Sequence, residues 1–192
     1  GDIVLFRRHW SYYMFPKGLL IYIYQYLNTA EFDHCGIIVE DKFGAPYVFE
    51  LGVTGCKITP YESRIAKSTS EQIILVPLRQ NKLSNVSFRK EMYSNALKMT
   101  QNTSMLSTEL PTLAVGCASK LLNACSPSIQ PRYSLSPSMH LLLNLLSESG
   151  IDMSFSSSLN NMSVTCDNVV DHNIHSSEGL FTLGENVNIR AK

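Results

Sequence analysis

The chain has 192 residues, 44% of them hydrophobic and 17% charged, and sixteen basic side chains balance sixteen acidic ones. That is enough chain and enough apolar content for one domain with a sizeable core, and it excludes a disordered segment. A formal net charge of zero removes bulk electrostatics as a route to nucleic acid or an anionic membrane.

The sequence begins at Gly1, which reads as an excised or processed chain, with no signal or transit segment. "GDIVLF" is predicted to be a strand, and an aromatic loop, "RRHWSYYMF", follows it. Phe15, Leu19, Ile23, Tyr26 and Leu27 fall at helical spacing, so a core helix is expected over about 15–27. Its apolar run, "GLLIYIYQYL", is shorter than the roughly 20 residues that span a bilayer. It also lacks the Lys and Arg of a membrane-surface helix, so no transmembrane segment is expected.

Strands are predicted at about 34–40, 45–51, 55–59 and 72–78. From 86 to about 125 the pattern turns helical, with Val86, Tyr93, Ala96 and Leu97 on one face and breaks at Pro111 and Gly116. "LSPSMHLLLNLLSESGI" is the clearest helix: Ser136 suits the N-cap, Pro137 the first helical position and Gly150 the stop. "SFSSSLNNMS", 154–163, reads as a low-complexity loop, and "GLFTLGENVNI" as a final strand or hairpin. Strands first and helices afterwards predict a single α+β domain over 1–192 with a mainly antiparallel sheet.

Two residues stand out in "EFDHCGIIVEDKFGAPYVFELG", residues 31–52. Alternation puts His34, Gly36 and Ile38 on one face of the first arm, and Val48 and Glu50 on one face of the second. A "DKF" turn with Gly44 in the left-handed position opposes His34 and Glu50 directly, with Cβ atoms about 5 Å apart. A slip of one residue would separate them. A carboxylate beside an imidazole fixes its tautomer, as in a catalytic triad, and the same two residues also make a self-satisfied buried pair.

The five cysteines, Cys35, Cys56, Cys117, Cys125 and Cys166, show no CxxC spacing. They are read as thiols of a reducing, intracellular compartment. Cys35 points away from His34 and Cys56 follows the turn after Glu50, so neither suits a nucleophile. His172 and His175 with Asp167 and Asp171 do not match a zinc pattern. No phosphate loop, dinucleotide fingerprint or Gly-X-Ser-X-Gly elbow occurs, so no metal and no cofactor is expected.

The series "GDIVLF", "FDHCGIIVE", "YVFELGVTGCKITPYESRI" and "QIILVPL" resembles the circularly permuted branch of the NlpC-type, papain-like hydrolases, over roughly residues 1 to 80. The resemblance implies a papain-like fold in permuted order, with the histidine and polar-residue strands first and the nucleophile helix late. It implies His34 as general base and Glu50 as its orienter. The helix beginning at "SMHLLL" then matches the nucleophile helix, with Ser138 where the family carries cysteine. Cys117, in "AVGCASKLLNAC", and Cys166, in "SVTCDNVVDHN", are rival nucleophiles. Both also suit ordinary buried or loop thiols. A thiol at a helix N-terminus is activated by the dipole, whereas a serine needs an optimised base.

Two expectations follow from the resemblance. One is a hydrolase or acyl-transfer domain acting on an amide, ester or thioester of a small-molecule, peptide or acylated substrate. The other is a pseudoenzyme that keeps the fold as a binding or assembly module for a protein partner.

Overall fold

The computed structural model describes residues 1–28, 31–52, 55–80, 87–101, 137–149, 153–155, 166–170, 174–176 and 181–191. Its centre is a six-stranded antiparallel sheet in the order β10-β5-β1-β2-β3-β4. These strands are β1 (Ile3–Arg7), β2 (His34–Glu40), β3 (Pro46–Gly52), β4 (Gly55–Pro60), β5 (Gln72–Val76) and β10 (Val187–Ala191). The first five in chain order were legible as strands from their β-branched, apolar composition, the start of β10 lies in the segment read as a final strand or hairpin, and the sheet is mainly antiparallel, as expected.

The sheet has two unequal apolar faces. On one, Ile3, Leu5, Cys35, Ile37, Val39, Phe49, Leu51, Ile74 and Val76 form the main core. Two helices cover it: α3 (Ser87–Gln101) brings Met92 and Ala96, and α4 (Pro137–Glu148) brings Met139, Leu142, Leu145 and Leu146. On the other, Val4, Phe6, Val48 and Ile73 make a smaller cluster. Tyr61 and Ile65 of the short helix α2 (Tyr61–Ala66) pack on it.

The helix α1 (Lys17–Asn28) forms where expected but presents a different side to the body. Phe15 and Tyr26 are 82% and 73% exposed, and Leu19 is 48% exposed, while Ile21 is fully buried. The reason is the approach of Gly18 to the 3-10 turn Trp10–Tyr12: a Cβ there would stand 2.6 Å from the carbonyl oxygens of Trp10 and Tyr13. The inward stripe is therefore Gly18, Ile21 and Gln25, the last donating its amide to the Arg8 carbonyl at 3.0 Å. In α3 the buried stripe is Met92, Asn95 and Ala96, and Leu97 is exposed. Asn95 hid this face from a hydrophobic pattern; its Nδ2 donates to the Glu148 carbonyl at 3.0 Å and ties α3 to α4.

Three further expectations change. The "GLFTLGENVNI" segment, read as a final strand or hairpin, holds strands that do not pair with each other: β9 (Phe181–Leu183) pairs with β6 (Leu78–Gln80), and β10 pairs with β5 in the main sheet. The 154–163 loop begins in a strand, β7 (Met153–Phe155), and "DHNIHSSEG", whose sequence reads as a solvated loop, contains β8 (Ile174–Ser176), paired with β7. Short strands with serine and histidine lack the apolar alternation that makes longer ones legible. Among the described residues, no helix is long and apolar enough to cross a membrane.

Candidate functional site

His34 opens β2 and Glu50 lies near the end of β3, and both point to the face carrying Phe6 and Val48. The Gly44 backbone is left-handed (φ 83°), as expected of this turn. The turn is nevertheless longer than a "DKF" loop. The Asp41 carboxylate accepts the N–H groups of Phe43 and Ala45, and the strands pair from Glu40 opposite Pro46. The register therefore sets Gly36, not His34, opposite Glu50, a correction of two residues that keeps both side chains on one face.

In this register a glycine does the spacing. Gly36 faces Glu50. No side chain at Gly36 blocks the diagonal from Glu50 to His34, and the glutamate is long enough to cross it. A Cβ on Gly36 would meet Val48 Cγ1 at 2.8 Å and Glu50 Cβ at 3.3 Å.

The result is a buried bond of 2.8 Å between His34 Nε2 and Glu50 Oε2, with the two side chains 4% and 1% exposed. A carboxylate only accepts, so Nε2 carries a proton in this bond. The Phe6 ring lies beside the imidazole, centroids 5.6 Å apart. Glu50 has two more partners. Arg64 of α2 donates Nε to Oε1 at 2.6 Å and Nη2 to Oε2 at 2.9 Å, and Lys57 of β4 lies 3.1 Å from Oε1. Burial alone would raise the Glu50 pKa, but the bond and charge of His34, then of Arg64, outweigh it and hold the carboxyl well below the usual carboxylate range.

The segment leading into His34 is fixed from two sides. Asp33 accepts from Arg8 through its backbone N–H at 2.9 Å and Nε at 2.6 Å, a buried pair that sequence reading passed over. Asp167, the first residue of α5 (Asp167–Val170), accepts the N–H groups of Glu31 and Phe32, both at 2.8 Å. That is the use of one member of the histidine–aspartate cluster; Asp171 and His172 lie outside the described residues. An aromatic groove of about 460 Å³ opens beside this segment, lined by Trp10, Tyr22 and Tyr26 together with Arg8 and Glu31.

Of the three nucleophile candidates, Ser138 is the second residue of α4, so it lies in the first turn of a helix that Pro137 opens. That helix covers the sheet face of Cys35, whose thiol is 3.8 Å from the Met139 sulfur, and His34 alternates to the other face. Cys117 lies outside the described residues. Cys166 is fully buried in the main core and immediately precedes Asp167, so the Asp167 clamp brings it to the segment before His34. Burial pushes the Cys56 thiol up to about 12, which makes it a poor nucleophile, as expected.

Asp33, Arg8 and Arg64 are the residues that sequence reading missed. Each is an ordinary charged residue in sequence, and only its place in the fold distinguishes it: Arg8 and Asp33 form a buried pair just before His34, and Arg64 reaches Glu50 from α2. No family model and no curated protein matches the chain. Among solved structures, it is similar to the metalloprotein yiiX from Escherichia coli O157:H7, at 12% identity and a TM-score of 0.46, over 100% of this chain and 96% of that one.

Proposed function

We propose that this chain is a papain-like hydrolase or acyl-transfer domain in which His34 is the general base and Glu50 its orienter. The observation that carries the reading is the buried bond from His34 Nε2 to Glu50, which occupies one ring nitrogen; on this reading Nδ1 of the neutral ring is the base. In the reaction, the hydroxyl or thiol of the nucleophile gives its proton to Nδ1 as its oxygen or sulfur bonds the substrate carbonyl carbon. The imidazolium returns that proton to the leaving group as the old bond breaks, and water or a second acceptor then releases the acyl group.

The test is p-nitrophenyl ester turnover by the full chain, with intact-mass and peptide mapping of the acylated residue. Release of nitrophenolate that falls about 10²- to 10⁴-fold in His34→Ala is the expected result. The mass shift names the nucleophile among Ser138, Cys117 and Cys166. Absence of release, or release unchanged in His34→Ala, overturns the reading.

One observation favours a second reading, a binding or assembly module without turnover. The helix that carries Ser138 packs on the sheet face opposite His34. On this reading no acylation occurs at any of the three candidates, and the His34–Glu50 pair is a structural element of the small core.

A further inference from the structure

We propose that Arg64 is the positioning residue of this site, setting the His34 imidazole through both of its neighbours at once. The inference rests on the reading of His34 as the base. Arg64 holds Glu50 in a two-point fork, Nε to Oε1 at 2.6 Å and Nη2 to Oε2 at 2.9 Å. Oε2 is the oxygen that also takes His34 Nε2, so the fork fixes the acceptor that sets the imidazole tautomer. The same guanidinium lies 4.1 Å from the centroid of the Phe6 ring, and that ring flanks the imidazole. A single planar cation therefore braces the hydrogen-bonding partner and the apolar neighbour of His34.

The geometry calls for arginine specifically. A lysine supplies charge at one point, without a planar fork or a flat face to lie on a ring. Lys57 illustrates the contrast: its ammonium reaches only Oε1, and its side chain is 52% exposed against 16% for Arg64. Arg64 is itself held from behind. Arg190 of β10 donates to the Ser68 carbonyl at 2.7 Å and to the Ile65 carbonyl at 2.9 Å, fastening the end of α2 to the sheet edge.

The experiment is ¹⁵N-histidine NMR of the full chain near neutral pH, with the His34 signals assigned by their loss in His34→Asn. The wild type should show the Nε2–H tautomer. Arg64→Met should populate both tautomers, Arg64→Lys should fall between, and Lys57→Met should leave the wild-type pattern. If Arg64→Met does not fold by circular dichroism, Arg64→Gln, which removes the fork and the charge but keeps a polar end, takes its place. A wild-type tautomer in the folded Arg64→Met or Arg64→Gln variant overturns the assignment, as does an equal effect from Lys57→Met. Ester turnover run in parallel should fall about 10- to 100-fold through kcat, as expected for a displaced catalytic group. A wild type inactive toward esters defeats the hydrolase reading alone, because the tautomer measurement does not depend on turnover.

Discussion

Gly36 stands two positions after His34, in "HCG", and the register sets it opposite Glu50. Gly36→Ala places a methyl against Val48 and Glu50, both on a buried strand with little room to retreat. Overpacking of this kind costs about 1–3 kcal/mol, which urea denaturation should read as a lower midpoint with an unchanged slope. Glu50 carries a second consequence. Its pKa is lower folded than unfolded, so the unfolded chain binds the proton more readily and the stabilisation is complete above the ordinary value of 4.5. It drains away as pH falls below that value toward the folded one. Wild-type stability should therefore drop steeply with acid, and Glu50→Gln should be less stable near neutrality yet show a shallower acid slope. Equal slopes in the two proteins would show that Glu50 is not the titrating group.

At the scale of elements, strands were far more legible than helix faces. The runs in β1 to β5 are rich in apolar and β-branched residues, and a strand offers only two faces, so a register wrong by two residues still placed His34 and Glu50 on one face. Loop length escaped the sequence because the Asp41 carboxylate gathers two backbone N–H groups and enlarges the turn. A helix can turn any side inward, and in α1 that choice was made by a missing Cβ at Gly18 rather than by its largest apolar residues. The contrast is measurable: Ile21→Ala should cost about 2–5 kcal/mol, whereas Leu19→Ala should stay within about 0.5 kcal/mol. Similar losses at the two positions would reverse the orientation of α1. The two arginines, Arg8 buried and Arg64 partly so, were illegible for a different reason. Nothing in "YESRI" or "FRRHW" separates an arginine beneath the surface from one in water, and only the fold that surrounds Arg8 and Arg64 makes the difference.

Across the whole molecule, the candidate site draws its fixtures from distant parts of the chain. His34 and Glu50 belong to the first third, Arg64 to a short helix after it, and the two restraints behind them come from Asp167 and Arg190. The bond from Asp167 to Glu31 closes 136 positions of sequence. Contacts of such separation slow folding, because the entropy of closing the loop is lost before the contact is gained. During synthesis at about 5–20 residues per second, the strand bearing His34 leaves the ribosome on the order of ten seconds before Asp167 has been made. Through that interval the hairpin can close, but its lead-in at Glu31 and Phe32 lacks the acceptor that will hold it. The lead-in to His34 is therefore set only after the segment bearing Asp167 has been made and docks.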